Sequence, residues 1–496
     1  MTIELSQASD RAVDYAPRKK IAPRSFLGLA WAISMLIFAV IQLMLGTDGK
    51  IITLAFFSLL CCVIPLFLFG IDDICAVFVF GLLSKYSFFP LWIKTVMGER
   101  IDIGLTAALR TFEMVLVGSV ICCVALFAAK SIPIKRRLLD FHLSDKQMIL
   151  AGYLAASFGL IFLTLHVLFV PVVLPSGEVT KGFGGFGSLV GPLYFGIGCL
   201  TVISLKRHAN PLHKIFLLAI FVTLIALSLQ TNAKAEFTLA FLTFVLTIFY
   251  FRIKVKVQYI IYSCVFVVFY FWIFAPIIHL TRTEAFKTAD LSGKYAIIEN
   301  MFNSNLTNEF AGQSKEIFNY SYYPSVHTFV VDRLEMIQDM DIPAGGISRG
   351  NTIGWLPIQW AIESALPRFI VHHKSNISDI DLIAYRAGYF PVLVTLNHTI
   401  GVFGSAYAMF LWPGLIYISL AVLFLYLLLL RVIVLPKLTY NPFGIFLLGR
   451  YLFVFSEQSV QALLISILRS IPLDVILIFG ILIVVINVLP KAHRDS

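Results

Sequence analysis

The chain has 496 residues, of which 59% are hydrophobic and only 13% are charged, and its formal net charge is +10. A soluble protein of this length needs far more charge to cover its surface, so the composition predicts a protein embedded in lipid. The segment 281–396 carries nine Lys/Arg against twelve Asp/Glu, so the positive net charge comes from the rest of the chain, mostly from short links between apolar runs. This distribution follows the positive-inside rule and does not indicate nucleic-acid binding.

Apolar runs long enough to cross a bilayer recur along the chain and predict an all-α polytopic membrane protein. Residues 1–25 end in a basic cluster with no cleavage site of small residues behind it, which predicts a cytoplasmic tail and not a signal peptide. A second cytoplasmic tail is expected at 491–496. About twelve spans are expected within 26–280 and 397–490. The first nine are near 26–45, 51–70, 73–89, 111–129, 148–174, 187–205, 215–231, 236–251 and 257–280. The tenth is 398–435, as one bent span, and the window 441–490, divided at 457–472, gives the last two.

The basic links at 130–137, 206–214 and 252–257 all fall on the cytoplasmic face in this arrangement, and the 281–396 segment falls outside. The aromatic stretch 86–106 is too polar at its end to cross, so it is predicted to lie at the outer interface. Asp72 and Asp73 fall on the cytoplasmic side, as the polar end of a span. All seven cysteines lie in apolar runs, which excludes a disulfide-stapled loop and a cysteine metal site.

The segment 281–396 is predicted to be a large, partly helical periplasmic loop. It contains two apolar periodic runs, at 325–340 and at 353–371, and the second reads as an amphipathic helix that ends at Pro367. A loop of this length with helices of its own is predicted to be a folded cap, and such loops usually carry function.

Charged residues beside the membrane are the first candidates for chemistry, because charge there is costly. Lys234 with Glu236, Arg282 with Glu284, and Arg110 with Glu113 are each either functional or interfacial anchors and local ion pairs. The loop adds five cations that form either a solvated surface or a site for an anion such as phosphate: Arg333, Arg349, Arg368, Lys374 and Arg386. His398, where the loop re-enters the membrane, is either an interfacial residue or a general base.

Layout and loop motifs together resemble the Wzy-type polymerases of O-antigen and related bacterial polysaccharides, which share a GT-C-like architecture with O-antigen ligases. The sequence DRLEMIQDM at 332–340 is similar to the family's Asp-Arg helix. The segment 350–374, GNTIGWLPIQWAIESALPRFIVHHK, is similar to the family's Gly-x-[Thr/Ser] … Pro-Arg … Lys segment. The segment 401–414, GVFGSAYAMFLWPG, looks like the Gly-rich re-entry into the next span.

The resemblance implies transfer of a growing glycan from undecaprenyl pyrophosphate onto a lipid-linked repeat unit at the periplasmic face of the bacterial inner membrane. It implies catalytic roles for His398 and Arg333, although Asn397–His398 replace the family's usual Gly-Glu step, which leaves the general base open. The residues expected to bind the substrate are Lys234, where relatives usually carry Arg, and Arg282, Arg349, Arg368 and Lys374.

No cofactor and no metal are expected, and the predicted reaction is a metal-independent inverting transfer. Expected partners are the undecaprenyl-pyrophosphate-linked oligosaccharide, membrane lipids, a chain-length regulator and a flippase, with no nucleic acid. Two alternatives stay open: an O-antigen ligase or other lipid-linked glycosyltransferase, and a flippase or transporter of lipid-linked sugars. Transporters usually have short loops and inverted repeats, which the sequence does not display.

Overall fold

The structure, a computed structural model, describes residues 24–141, 143–169, 184–206, 209–231, 235–256, 258, 261, 265, 293, 335–366, 370–371, 377–389 and 399–489. Within these ranges the regular structure is helical apart from two isolated β-bridges, which confirms the predicted all-α class. The α-helices in chain order are α1 (Arg24–Met44), α2 (Gly49–Phe69), α3 (Ile74–Leu83), α4 (Phe89–Val96), α5 (Ala108–Ser131), α6 (Asp145–Phe169), α7 (Pro192–Ser204), α8 (Pro211–Thr231), α9 (Ala235–Tyr250), α10 (Ile337–Gly346), α11 (Leu356–Ala365), α12 (Asp379–Arg386), α13 (Val402–Phe410), α14 (Ser419–Ile433), α15 (Pro442–Glu457), α16 (Val460–Ile465) and α17 (Ile471–Val488).

Eight helical runs among the described residues are long and apolar enough to cross a membrane, and the shorter apolar helices Ser34–Met44 and Ala235–Tyr250 lie beside them. The chain is therefore a multi-pass membrane protein. Apolar side chains remain exposed along these helices, Leu218, Ile161 and Val124 among them, as expected of surfaces that face lipid. The total of about twelve spans stays a prediction, because nearly all of the expected span at 257–280 lies outside the described residues.

The third span is longer than predicted. Helices α3 and α4 are joined by a π-helical turn at Ser84–Phe88, and together they form one apolar run, Ile74–Val96. The stretch 86–106 was predicted to be too polar at its end to cross, but the Lys94 side chain is fully buried and its ammonium donates a hydrogen bond to the Ile103 carbonyl in the following turn. The stretch 86–106 is thus helical up to Val96, and only its second half is a connection.

The three basic links meet at one end of the helix bundle, here called the basic end. Lys130, at the last turn of α5, pairs with Asp73, and the Tyr250 hydroxyl at the end of α9 donates to the Ile71 carbonyl at 2.8 Å. Lys206 pairs with Asp145 at the start of α6. The positively charged links predicted to share one membrane face therefore lie together in the structure.

The described part of the 281–396 loop packs at the opposite end of the bundle, here called the loop end. Helix α10 packs against α5 and α13, α12 packs against α10 and α13, and α11 packs against α16. The side chain of Ile337, the first residue of α10, is fully buried among residues of α2, α4 and α5. The loop is thus partly helical, as predicted, and α11 ends at Ala365, two residues before Pro367.

The segment 398–435 bends where one bent span is predicted. Helix α13 ends at a backbone break at Leu411, whose φ is 58°, and a π-helical turn then leads into α14. The break leaves carbonyl groups at the end of α13, and two of them are paired by the loop: the Ile353 N–H donates to Ala408 at 3.0 Å and the Gly354 N–H donates to Met409 at 3.2 Å.

The window 441–490 divides near the lower edge of the range predicted for it. Helix α15 ends at Glu457, and Ser459 caps α16 through a hydrogen bond from the Ala462 N–H to its hydroxyl. The chain then remains helical and apolar from Val460 to Val488 through a third π-helical turn.

Candidate functional site

Most of the cationic residues predicted to bind substrate lie outside the described residues, as does the proposed base. These are Lys234, Arg282, Arg333, Arg368, Lys374 and His398. Arg349 is described: it is exposed, in the turn that follows α10. Convergence of these cations on one anion therefore remains a prediction. The described residues of the loop end surround their positions in the chain.

Asp341 fixes α10 to the loop end of α5. Its carboxylate is fully buried, accepts hydrogen bonds from the Thr106 N–H and hydroxyl at 2.7 Å each, and accepts two more from the Ala107 N–H at 3.0 Å and the Thr111 hydroxyl at 2.7 Å. The first N–H groups of a helix have no partner within the helix, and a carboxylate there also interacts favourably with the helix dipole. The loop thus caps a membrane-spanning helix, and this contact is called the Asp341 anchor.

Asp379 forms a second buried contact, called the Asp379 anchor, between α12 and the helices below it. The hydroxyls of Ser405 and Ser459 donate to its two carboxylate oxygens at 2.7 Å each, and its own N–H donates to the Gln461 side chain at 2.8 Å. Burial raises the pKa of the Asp379 carboxyl above its ordinary value, and the hydrogen bonds from Ser459 and Ser405 oppose that rise. The anchor joins the loop to α13 and α16.

The first turn of α10 lies beside the point where the loop re-enters the membrane. The Thr399 hydroxyl donates to the Asp339 carboxylate at 2.9 Å, and the Met336 N–H donates to the Lys85 carbonyl at 2.9 Å. Lys85 itself pairs with Glu457 at 2.7 Å. The buried Asp339 carboxylate is thus hydrogen-bonded to Thr399, the residue that follows His398, and His398 itself lies outside the described residues.

An open cleft of about 700 Å³ lies between the loop and α5. One wall is the start of α5, with Arg110 and Glu113, and the opposite wall is formed by the ends of α10 and α12, with Gly345, Gly346 and Tyr389. The Arg110 guanidinium donates to the Ala344 carbonyl at 3.0 Å, which holds it at the junction of the two walls. Arg110 and Glu113, predicted to share one helical face, do line the same cleft.

A cluster of charged and phenolic groups lies inside the bundle. Arg450 of α15 stands 3.6 Å from the Asp474 carboxylate of α17 and 3.8 Å from the Glu236 carboxylate of α9. The Tyr451 hydroxyl donates to Asp474 at 2.5 Å, and the Tyr194 hydroxyl donates to Glu236. The Arg450 guanidinium also lies 4.8 Å from the centre of the Tyr194 ring. Four helices meet at this cluster. One of its members, Glu236, follows Lys234 by two residues in the chain.

Sequence reasoning missed Arg450 and Asp474. Both are charges within apolar helices, Arg450 in α15 and Asp474 in α17, and such a charge is itself a signal of a functional or structural site. The two residues lie on separate helices, and no sequence pattern shows that their charges face each other. Neither residue belongs to a candidate metal centre, and the part of the chain that the structure describes contains no group of three or more His, Cys, Asp or Glu residues that could hold a metal ion.

No protein-family model, curated protein or solved structure matches this chain. The function therefore has to be argued from the residues and from the geometry of the loop end.

Proposed function

We propose that this chain is a glycosyltransferase of the bacterial inner membrane that polymerises undecaprenyl-pyrophosphate-linked oligosaccharide repeat units into O-antigen or a related surface polysaccharide. In this proposal the loop end faces the periplasm and the basic end faces the cytoplasm. The proposal rests on the sequence motifs of the loop together with one structural observation, the docking of the loop helices over the ends of the spans.

The docking is the observation that carries the proposal. The Asp341 and Asp379 anchors are both buried and join the loop to the spans. An open cleft remains between the loop and α5 at the end of the bundle. A lipid-linked donor keeps its prenyl chain in the bilayer and presents its pyrophosphate and sugars at that level. A folded cap docked over the ends of the spans is the geometry that such a substrate needs.

The reaction breaks the bond between the anomeric carbon of the donor glycan and the pyrophosphate oxygen, and forms a bond from that carbon to a hydroxyl of the incoming unit. The acceptor proton passes to a general base, for which His398 is our candidate, and undecaprenyl pyrophosphate leaves. Fixed cations neutralise the charge that grows on the leaving group. We assign that role to Arg333, Arg368 and Lys374, with Lys234, Arg282 and Arg349 completing the set.

The test uses Arg333→Ala and Arg368→Ala, expressed in a strain of the source organism that lacks this chain. We expect loss of the polymer ladder in both variants, at membrane levels equal to wild type. Arg136→Ala is the matched control, because Arg136 is an exposed arginine in the basic link 130–137. Normal ladders from both loop variants would overturn the assignment of these arginines.

The product distinguishes the polymerase from its alternatives. Long glycans on undecaprenyl pyrophosphate are expected of a polymerase. A lipid A-core capped with preformed glycan would indicate a ligase instead. Repeat units that stay single and accumulate on the cytoplasmic side of a strain lacking this chain would indicate a flippase.

A further inference from the structure

The cleft between the loop and α5 is a built feature of the loop end. Its volume of about 700 Å³ is in the range of small-molecule sites, and it is lined by residues of three separate segments of the chain. Added Cβ atoms would lie 2.6 Å from the Thr106 hydroxyl oxygen at Gly345 and 2.4 Å from the Ala387 carbonyl oxygen at Gly346. The two glycines therefore allow the walls to approach closely and set the shape of the cleft.

The charges around the cleft disfavour a phosphate ligand. The start of a helix normally attracts an anion, but the Thr106 and Ala107 N–H groups at the start of α5 already donate to Asp341. Glu113 adds a second carboxylate to the same region, whereas the residues that line the cleft include one cation, Arg110. A pyrophosphate would meet at least as much negative as positive charge here, so the cleft differs from the predicted cation cluster.

The same groups suit the hydroxyls of a sugar. The Glu113 carboxylate accepts hydrogen bonds, and a guanidinium has five N–H donors. Arg110 donates to the Ala344 carbonyl and is also hydrogen-bonded to the Tyr407 side chain, and the fork has further N–H groups. Burial raises the pKa of Tyr389 to about 12, so its phenol stays protonated and keeps its hydroxyl hydrogen at neutral pH. A carboxylate, a guanidinium and a phenol offer both acceptors and donors, which vicinal hydroxyls require.

We propose that this cleft binds the oligosaccharide of the acceptor repeat unit, and that Glu113, Arg110 and Tyr389 contact its hydroxyl groups. The inference rests on the proposed function for the identity of the glycan, and it assigns the binding of sugar and of pyrophosphate to different residues. The donor pyrophosphate belongs to the loop cations, and the acceptor sugar lies against α5.

The test measures binding to the full-length protein in lipid nanodiscs. The probe is the single repeat unit, released by mild acid from the lipid-linked intermediates of a strain that lacks this chain, and undecaprenyl pyrophosphate without sugar is the second probe. The variants are Glu113→Gln and Tyr389→Leu. Glu363→Gln is the matched control, because Glu363 lies on α11, pairs with Gln359 and does not line the cleft.

We expect both cleft variants to raise the dissociation constant for the repeat unit by about tenfold, the loss that follows removal of one or two polar contacts to a ligand. Binding of undecaprenyl pyrophosphate should stay within about twofold of wild type. Unchanged binding of the repeat unit in both variants, with wild-type melting temperatures, would overturn the inference. Equal weakening of both probes would also overturn it, because the cleft would then serve the pyrophosphate.

The two proposals can fail separately. If the wild-type protein binds the repeat unit through Glu113 but never restores a polymer ladder, the polymerase proposal is wrong and the sugar site stands. If Arg333→Ala abolishes the ladder while Glu113→Gln binds the repeat unit normally, the polymerase proposal is supported and the sugar site is wrong.

Discussion

Asp341 and Thr111 are 230 positions apart in the chain, and the Thr111 hydroxyl donates a hydrogen bond to the Asp341 carboxylate at 2.7 Å. This contact joins the large loop to the fourth predicted span. The loop is therefore part of the same folded unit as the helices beneath it.

Replacing Asp341 by alanine should destabilise the docked loop. The change leaves two backbone N–H groups and two hydroxyls without their acceptor, at a cost of about 2–4 kcal/mol. We expect a clear fall in the melting temperature of the detergent-solubilised protein, followed by fluorescence-detected gel filtration. Glu363→Ala removes a more accessible carboxylate from the same loop and should change stability by less than about 0.5 kcal/mol. Equal melting temperatures for the two variants would contradict a structural role of the Asp341 anchor.

Asp379 should make stability depend on pH. Its folded-state pKa lies above the ordinary value of 3.8, so the folded protein binds the proton more tightly than the unfolded chain does. The contribution is fully present below pH 3.8 and is lost as the pH rises through the higher folded-state pKa. Asp379→Asn is uncharged at every pH and should lose this slope. The measurement is the melting temperature of both proteins across that interval, and parallel curves would contradict the prediction.

Gly346 and Gly350 form a matched pair of glycines. A Cβ at Gly346 would lie 2.4 Å from the Ala387 carbonyl oxygen, whereas a Cβ at Gly350 would meet no atom within 4 Å. Gly346→Ala must push α10 away from α12 and should cost about 1–3 kcal/mol. Gly350→Ala should be close to neutral. Limited proteolysis of the loop in membranes measures the difference, and equal cleavage rates for the two variants would show that α10 and α12 do not pack this closely.

Arg450 should be required for stability inside the bundle. Arg450→Ala leaves the Glu236 and Asp474 carboxylates without their cation, and breaking a buried ion pair in this way costs about 3–5 kcal/mol. We expect a low level of the variant in membranes. The double variant Arg450→Met with Asp474→Asn removes one charge of each sign and should recover part of that level. If the double variant is no better than the single one, the charge balance of the cluster is not what holds it together.

Chelation should leave polymerisation unchanged in a reconstituted assay. The loop 281–396 has two Asp-x-Asp sequences, 339–341 and 379–381. Threonine hydroxyls donate to the carboxylates of the first, Thr399 to Asp339 and both Thr106 and Thr111 to Asp341. Serine hydroxyls donate to the carboxylates of the second. These carboxylates serve the protein itself. A strict requirement for added Mg²⁺ or Mn²⁺ would contradict a metal-independent transfer.

Much of the fold follows from apolar run length and from the placement of basic residues. The links near Lys130, Lys206 and 252–257 were predicted to share one face from charge alone, and they meet at one end of the bundle. Apolar run length does not predict the end of a span correctly where the fold buries a charged side chain and pairs it with a hydrogen-bond acceptor. The third span was predicted to end at residue 89, because the sequence does not show that the Lys94 ammonium is buried and donates to the Ile103 carbonyl.

The candidate site is less accessible to sequence reasoning, because its contacts join residues far apart in the chain. The sequence does not show that Asp341 and Asp379 are buried, because their burial depends on partners contributed by α5, α13 and α16. Arg110 and Glu113 could be placed on one helical face from their spacing. That this face borders a cleft depends on Gly345 and Gly346, which the sequence shows only as a loop signal.

The break at Leu411 has a consequence for how the chain is assembled during synthesis. A bilayer offers no donor to the Ala408 and Met409 carbonyls, and an unpaired carbonyl in hydrocarbon costs several kcal/mol. Their donors, Ile353 and Gly354, lie earlier in the chain. Ile353 and Gly354 are thus synthesised before α13, so the donors for its last carbonyls are already part of the chain when α13 enters the membrane.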